Sequence, residues 1–287
     1  MSASVAPSKE QQLDEAARRG DVEKVQLLLG DCTLDVNWHN EGENGFAPLH
    51  QACFYDHFPV VKALVSHPNI DVNLPMRLLA TPLYIASQGN HKEIVQLLVD
   101  DPRVDVNLAR DERATPVFIA CQRGHLDTFD ILMQDDRVDL NFPMNHGMSP
   151  LWIASCEGNL HIVQRLLASG RPVDPLVVSG PGPEGWKGKS VVDVAQWASH
   201  QDRLAWEIHD SEQERRRENC PIIADLVTTF IVDPVGVRTR LQCEPHIRGE
   251  CFSQPPISPT SAHTLMPSLG VVRTVHCAVV FSHNFSL

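Results

Sequence analysis

Long apolar runs and basic residues are both scarce in this sequence. The most apolar stretch, residues 269–281, is shorter than the ~20 residues that a membrane helix needs, and it contains Arg273 and His276. The start of the chain lacks a basic segment followed by an apolar one, which predicts no secretory signal. Lys and Arg number 24 against 36 Asp and Glu, a formal net charge of −12. Because phosphate-tracking surfaces need concentrated Lys and Arg, we predict a protein that binds neither membranes nor nucleic acids.

Paired cysteines and catalytic signatures are also missing. The eight cysteines form no C-x-x-C pair, so we interpret them as reduced thiols of a cytoplasmic or nuclear protein that is not secreted. There is no serine nucleophile elbow, H-E-x-x-H helix or kinase signature. Residues 182–190 end in Gly-Lys-Ser like a phosphate-binding loop, but Pro183 stands where that pattern needs glycine. We therefore predict no enzymatic activity and no cofactor.

A repeat of 34 residues dominates the rest of the chain. Its clearest marks are Pro48, Pro82, Pro116 and Pro150, in the contexts Ala-Pro-Leu-His, Thr-Pro-Leu-Tyr, Thr-Pro-Val-Phe and Ser-Pro-Leu-Trp. Alanine follows each proline by four residues, an apolar stripe at helical spacing comes next, and the units close with Asp-Val-Asn or Asp-Leu-Asn. An earlier unit lacks the proline but keeps the alanine and the closing triplet at 35–37. The fixed period predicts five units of one repeat architecture.

The columns of this repeat predict two short helices in each unit. Proline after Thr or Ser suits the first turn of a helix, where its missing N–H costs nothing and the hydroxyl can cap. Eight residues past the proline position stand residue types that tolerate the left-handed conformation at a helix end: Gly20, Asp56, Asn90, Gly124 and Gly158. The second helix then follows with its apolar stripe.

With its Thr-Pro-Leu signature, helix pairs and closing triplets, the sequence resembles the ankyrin-repeat family over residues 12–174. The resemblance implies an all-α solenoid of stacked helix-turn-helix units with projecting hairpin-like loops, called fingers below, that works as a protein-binding scaffold. The family usually has Gly three residues before the proline. Gly45 and Gly147 conform to this, whereas Leu79 and Arg113 depart from it in the third and fourth units.

Both ends of the chain lie outside the regular repeat. Residues 1–11 are predicted to be an N-terminal extension. Residues 175–242 are predicted to form a degenerate capping repeat, because a solenoid needs a polar cap at each end. In it, 189–195 would form the first helix, 202–218 a charged helical insertion and 221–227 the second helix. Residues 243–287 contain five prolines and no lysine, which predicts a disordered tail, either with a short interaction motif or without function.

Two recurring columns suggest sites but favour structural roles. His57, His91 and His125 occupy equivalent positions on neighbouring helices, about 8–10 Å apart, too far to share one zinc ion. Cys243, His246 and Cys251 lack a nearby fourth ligand, so we predict no metal site.

Aromatic side chains form a second such column. It consists of His50, Tyr84, Phe118 and Trp152, and we expect these residues to pack between repeats rather than to bind a partner.

The variable columns are better candidates for partner contact. Phe54 and Tyr55 stand out, since these positions are ordinarily solvent-facing and exposed aromatics reduce solubility. The predicted contact residues, from the concave first-helix face and the fingers, are Phe46, Phe54, Tyr55, Met76, Arg77, Gln88, Arg110, Asp111, Gln122, Arg123, Met144, Met148 and Glu157. The resemblance adds Asn37 as a possible modification site, because some ankyrin repeats are substrates of an asparaginyl hydroxylase and Leu29 with 35–37 fits its Leu-x5-Asp-Val-Asn pattern.

These observations predict a non-catalytic protein–protein interaction scaffold. We expect a monomer whose acidic surface suits a partner with a basic patch. One alternative is an adaptor that recruits a substrate to a ubiquitin ligase or kinase. A weaker alternative is a fragment of a multidomain enzyme.

Overall fold

Helices make up nearly all of the regular secondary structure in the part of the chain that the structure describes. The computed structural model describes residues 6–40, 45–180, 187–199 and 210–247, and within these ranges the chain is all-α, with two isolated β-bridges. Five helix pairs follow one another: α1 (Lys9–Arg19) with α2 (Val22–Leu29), α3 (Pro48–Phe54) with α4 (Phe58–Val65), α5 (Pro82–Gly89) with α6 (Lys92–Val99), α7 (Pro116–Arg123) with α8 (Leu126–Gln134), and α9 (Pro150–Cys156) with α10 (Leu160–Ala168). The first helix begins at Lys9, inside the segment predicted to be an extension.

Each first helix starts as its sequence predicts. The hydroxyls of Thr81, Thr115 and Ser149 accept hydrogen bonds from the backbone N–H three residues later, at 3.3, 3.3 and 3.2 Å. The second unit has Ala47 in this position, and there the N–H of Ala47 donates to Nδ1 of His50 at 3.1 Å. This bond holds the start of the helix from the other direction, because the helix side chain accepts from the capping residue rather than the reverse.

The turn between the paired helices uses one backbone conformation in every unit. Gly20, Asp56, Asn90, Gly124 and Gly158 all have positive φ, between 59° and 74°. Asp and Asn tolerate this left-handed region better than other residues with a side chain. The prediction made from this column is confirmed.

The helices stack in two rows around one continuous core. The first helices pack in the order α1, α3, α5, α7, α9, and the second helices form a parallel row behind them. The column of His50, Tyr84, Phe118 and Trp152 is at most 2% exposed, which confirms that it packs between repeats. Trp152 also donates from Nε1 to the carbonyl of Lys189 at 2.9 Å.

The closing Asp-x-Asn triplets tie each unit to the next. The amide of Asn107 donates to the carbonyl of Arg137 at 2.7 Å and accepts from the N–H of Asp139 at 2.8 Å. Asn37, Asn73 and Asn141 make the equivalent pair of bonds to the following units. The aspartate of each triplet accepts from the N–H two residues later and so holds its own loop. This ladder explains why the closing column repeats.

The finger loops share one geometry although two of them lack glycine. Gly45, Leu79, Arg113 and Gly147 all have positive φ, at 73°, 59°, 66° and 76°. The base of each of the last three fingers is closed by a backbone hydrogen bond of 2.9–3.0 Å, as from Met76 N–H to the carbonyl of Ala80. The third and fourth units therefore also form a hairpin-like loop, at the energetic cost of one left-handed side-chain residue in the third unit, Leu79, and two in the fourth, Glu112 and Arg113.

The C-terminal unit differs from its prediction. Its first helix, α11 (Val191–Ser199), lies where expected, but α12 (Asp210–Val232) is one continuous helix that joins most of the charged insertion to the expected second helix. Pro221 lies inside α12 rather than at its start. A further helix, α13 (Pro234–Cys243), was not predicted.

The boundary of the predicted tail also needs correction. Ile247 is fully buried, and the carbonyl of His246 accepts a hydrogen bond from Arg165 at 3.1 Å. The chain is thus anchored to the repeat stack up to Ile247, and residues 248–287 of the predicted tail lie outside the described residues. Among the described helices, none combines the length and apolar character needed to cross a bilayer.

Candidate partner-binding face

The first-helix row and the fingers form one surface, called the inner face below. Most predicted contact residues have accessible side chains on it. Phe54 and Tyr55 are 52% and 46% exposed. The others divide into exposed residues, namely Arg77, Asp111 and Arg123, and half-buried residues, namely Phe46, Met76, Gln88, Arg110, Gln122, Met144 and Glu157.

Met148 was predicted to contact a partner and is 3% exposed. Its carbonyl closes the fifth finger by accepting from the N–H of Met144 at 2.9 Å. Its side chain belongs to the core, so the prediction for this residue is wrong. The residue directly before the capping position lies at the finger base, as Ala80 and Ala114 do in the third and fourth units.

An aromatic cluster marks the second unit. The rings of Phe46 and Phe54 meet edge to face at 5.9 Å between centroids, and Phe54 meets Tyr55 in the same way at 5.0 Å. Tyr55 in turn stacks on His57 at 6.2 Å, and Phe46 lies 6.0 Å from His50. Each exposed ring is therefore supported by a neighbour, which fixes its orientation before any partner arrives.

Two exposed leucines extend the apolar surface onto the next finger. Leu78 and Leu79 are 39% and 53% exposed at its tip. The tips touch along the row, since a Cβ at Gly45 would lie 3.2 Å from the nitrogen of Arg77, and Asp111 donates to the carbonyl of Leu78 at 3.0 Å. Sequence reasoning missed these leucines as contact residues. The signal was present, because a bulky residue replaces glycine in this finger.

Arginines occupy the neighbouring part of the inner face. Arg110 lies over the ring of Tyr84 at 5.8 Å, with Nη1 3.5 Å from its hydroxyl, and Arg113 lies over Phe142 at 4.9 Å. Arg123 is exposed at the end of α7. Stacking on aromatic rings leaves the guanidinium edges available for carboxylates.

The last unit closes the inner face at α9. Glu157, a predicted contact residue, forms an ion pair with Arg216 of α12, and both side chains are mostly buried. Arg215 donates to the carbonyl of Glu157 at 3.2 Å, and Asn219 donates to that of Gly158 at 2.9 Å. Glu157 is therefore paired within the chain, and contact of its carboxylate with a partner would require this ion pair to open. Nothing in the 34-residue period pointed to this contact, because α12 lies outside the repeat.

The recurring histidines hold neighbouring units together. Nε2 of His57 lies 3.1 Å from the carbonyl of Arg18, and Nε2 of His125 lies 3.0 Å from that of Gln88. Asn159 replaces histidine in the fifth unit and donates to the carbonyl of Cys121 at 2.6 Å. These are the ordinary hydrogen bonds expected of the column. The described part of the chain contains no cluster of three or more His, Cys, Asp or Glu placed to hold a metal ion.

Burial sets the protonation of the thiols and of His50. Desolvation raises the pKa of Cys53 and of Cys121, and it raises that of Cys220 to about 11. These thiols stay protonated and unreactive at neutral pH. Desolvation also lowers the pKa of His50 to about 4, so this imidazole is neutral. The inner face itself offers apolar side chains, hydrogen-bonding groups and charges, which are the groups used in noncovalent recognition.

The comparisons with known proteins agree with this architecture. The family described as Ankyrin repeats (3 copies) matches residues 13–110 and 83–175. No curated protein sequence matches the chain. Among solved structures, the ankyrin repeat protein EF0377 is similar in fold, with 22% identity and a TM-score of 0.59 over 74% of this chain and 98% of that one. Because the family match runs from α1 through the fifth helix pair and covers more than half of the sequence, the chain belongs to the ankyrin-repeat family.

Proposed function

We propose that this protein is a non-catalytic interaction scaffold that binds a partner protein through the inner face of its second to fourth units. Ankyrin repeats generally mediate protein–protein interaction, and the observation that carries the proposal here is the exposed, ring-supported pair of Phe54 and Tyr55. Large aromatics in a fixed orientation are the residues that dominate binding energy at interfaces.

A pull-down and a binding measurement with matched variants test this proposal. The test variant is Phe54→Ala/Tyr55→Ala in the full chain. The control is Leu27→Ala, which truncates a 79% exposed leucine of α2, in the row of second helices. Loss of two anchors is expected to weaken partner binding by about tenfold or more, whereas the control binds as the wild type does. Helicity and the unfolding midpoint must match in all three proteins.

Two results would contradict the proposal. One is a partner that binds the test variant and the wild type equally. The other is a partner that is retained by the test variant and lost when residues 248–287 are removed, since the repeats would then serve only as a support.

The adaptor alternative requires a second docking surface outside the inner face. Ile231, Val232 and Val235 are exposed where α12 meets α13, and they are the residues to vary. An adaptor would lose one partner with Phe54→Ala/Tyr55→Ala and a different one with Val232→Asp. A single partner class, lost with the first variant only, favours the simple scaffold.

We also propose Asn37 as a modification site. Its amide is bonded at both ends, to the carbonyl of Asn69 and the N–H of Asp71, each at 2.8 Å, so modification requires this loop to open. Peptide mass spectrometry after hydroxylase treatment should find an added oxygen on Asn37 and none in the Leu29→Val variant. An unmodified Asn37 in the wild type would reject the site.

A further inference from the structure

Many of the described carboxylates lie away from the inner face. Aspartates crowd the loops that follow the second helices, where Asp101 and Asp135 pair with Arg103 and Arg137, each at 2.6 Å. The aspartates of the closing triplets accept backbone hydrogen bonds in the same loops. These carboxylates serve the fold. The overall charge of −12 therefore says little about the partner, and the expectation of a basic patch loses its support.

Three arginines cluster in the fourth unit of the inner face. Arg110, Arg113 and Arg123 have no ion pair to any carboxylate among the described residues, and Arg77, in the third unit, is the fourth arginine of this face. The fourth finger also contains Asp111 and Glu112. Along this finger and α7, three guanidinium groups therefore accompany two carboxylates.

Apolar and basic residues also occupy different ends of this face. Phe46, Phe54 and Tyr55 belong to the second unit, and Leu78 and Leu79 belong to the third. Three of the four arginines belong to the fourth unit. A ligand that follows the row would meet apolar surface first and guanidinium groups after it.

The length of the open face limits the length of that ligand. Beyond the fourth unit, α12 covers the end of α9, and a Cβ at Gly158 would lie 3.1 Å from Cα of Arg216. The three units that carry these apolar and basic residues, spaced about 10 Å apart, span roughly 20–30 Å. An extended chain advances about 3.3 Å per residue, so the face matches about six to nine residues.

From these observations we propose that the inner face binds a short acidic peptide segment of a partner protein. An aromatic or large aliphatic side chain of the segment packs on Phe54 and Tyr55, and its carboxylates meet Arg110, Arg113 and Arg123. The inference rests on the proposed function and specifies the chemistry of the partner. Guanidinium groups bind carboxylates in a bidentate geometry, and those already stacked on rings lose less freedom on binding.

Selection from a displayed library of random short peptides tests the inference with the full chain as bait. The enriched peptides are expected to be acidic and to share one aromatic or large aliphatic residue. Synthetic copies of them should bind about tenfold or more weakly to Arg110→Glu/Arg113→Glu/Arg123→Glu, and their affinity should fall as salt rises. The matched control, Lys62→Glu/Lys92→Glu/Arg240→Glu, changes the net charge equally at exposed positions outside this face and should bind as the wild type does.

The outcomes separate this inference from the proposed function. Basic or neutral peptides that are lost with Phe54→Ala/Tyr55→Ala would overturn the acidic ligand and keep the scaffold. Peptides whose affinity is unchanged by the aromatic variant and by the arginine variant would contradict the inference and the proposed function. An empty selection would overturn the short segment, while the pull-down still decides the scaffold. A single-stranded oligonucleotide that displaces the peptides at equal concentration would overturn the peptide class, because arginines beside aromatics can also bind nucleic acid.

Discussion

The regular units and the C-terminal unit join their neighbours by different kinds of contact. Between regular units, most side-chain bonds end on backbone atoms, as in the asparagine ladder, the bond of His125 to the carbonyl of Gln88 and the bond from Arg137 to the carbonyl of Val99. At the C-terminal unit an ion pair between two side chains is added, because Arg216 of α12 pairs with Glu157 of the fifth unit. A contact to backbone can recur in every unit. A contact between two particular charges fixes one helix at one place.

This difference predicts where the molecule is most sensitive to mutation. In a solenoid each unit contacts only its neighbours, so the free energy of unfolding is a sum over units and interfaces. A neutral bond lost between regular units weakens one interface. A charge left unpaired under α12 destabilises the packing of α12 on the fifth unit, because a buried charge without its partner is costly.

The largest expected effect is therefore at the last interface. Arg216→Met leaves the mostly buried Glu157 carboxylate without its ion pair, and we expect about 3–5 kcal/mol less stability for the C-terminal unit. Hydrogen exchange should show faster exchange in α11 and α12, with α3 to α8 unchanged. The double variant Arg216→Met/Glu157→Met should recover much of the loss. Equal destabilisation by the single and double variants would show that the pair itself matters little.

A pH effect should single out the second unit among the regular ones. Burial holds the pKa of His50 at about 4, below the ordinary value of about 6.5, so below that ordinary value the unfolded chain binds the proton more readily. Stability is then lost as the pH falls from about 6.5 towards 4, by about 2 kcal/mol at pH 5. The other regular units have Tyr84, Phe118 and Trp152 in this column in place of an imidazole.

Urea unfolding of the wild type and His50→Gln at pH 7 and pH 5 measures this effect. The substitution should remove most of the pH dependence, whatever its own cost. His125, whose pKa is also lowered by desolvation, shifts in the same direction and supplies a smaller remainder. A wild type that is as stable at pH 5 as at pH 7 would contradict the assignment of His50 as a buried neutral group.

The asparagine ladder should contribute equally along its length, up to the irregular unit. Asn107→Ala removes two hydrogen bonds, and at about 1 kcal/mol each the expected loss is about 2 kcal/mol. Asn141→Ala removes the equivalent bonds to Pro172 and Asp174 and should cost the same. Asn107→Asp keeps the acceptor and loses the donor, so its cost should be intermediate. A markedly smaller loss for Asn141 would show that the ladder fails before the cap.

The same division explains what could be predicted from the sequence. The period exposes every feature that recurs, so the helix pairs, the left-handed turn at Asn90 and the buried column ending at Trp152 follow from residue types alone. The long helix α12 does not recur, and its apolar positions have meaning only against α9, α10 and α11. Pro221 predicted a helix start, since proline disfavours a helix interior, but tertiary packing overrides that preference.

The candidate site was predictable to the same degree. The exposure of Phe54 and Tyr55 follows from their column in the repeat. The ion pair of Glu157 depends on Arg216, 59 residues away in a helix outside the repeat, so the period could not predict it. Burial of Met148 depends on the register of its finger, which the closing bond to Met144 sets. Features fixed by local spacing were accessible, and features fixed by a single long-range contact were not.

The smallest expected effect concerns the fingers, where regular units differ among themselves. Leu79 holds a φ of 59° that glycine adopts freely at Gly45 and Gly147. Relief of a left-handed side-chain residue gains about 1–2 kcal/mol, and the greater freedom of glycine in the unfolded chain offsets about half of that. Leu79→Gly should thus raise stability by about 0.5–1 kcal/mol, measured by urea unfolding, and Gly147→Leu should lower it by a similar amount. If the scaffold uses this finger, Leu79→Gly will also lower the affinity for the enriched acidic peptides. The strained backbone at this exposed apolar tip would then be explained by its role in binding. A variant with higher stability and unchanged peptide affinity would leave Phe54 and Tyr55 as the apolar anchors and remove Leu79 from the site.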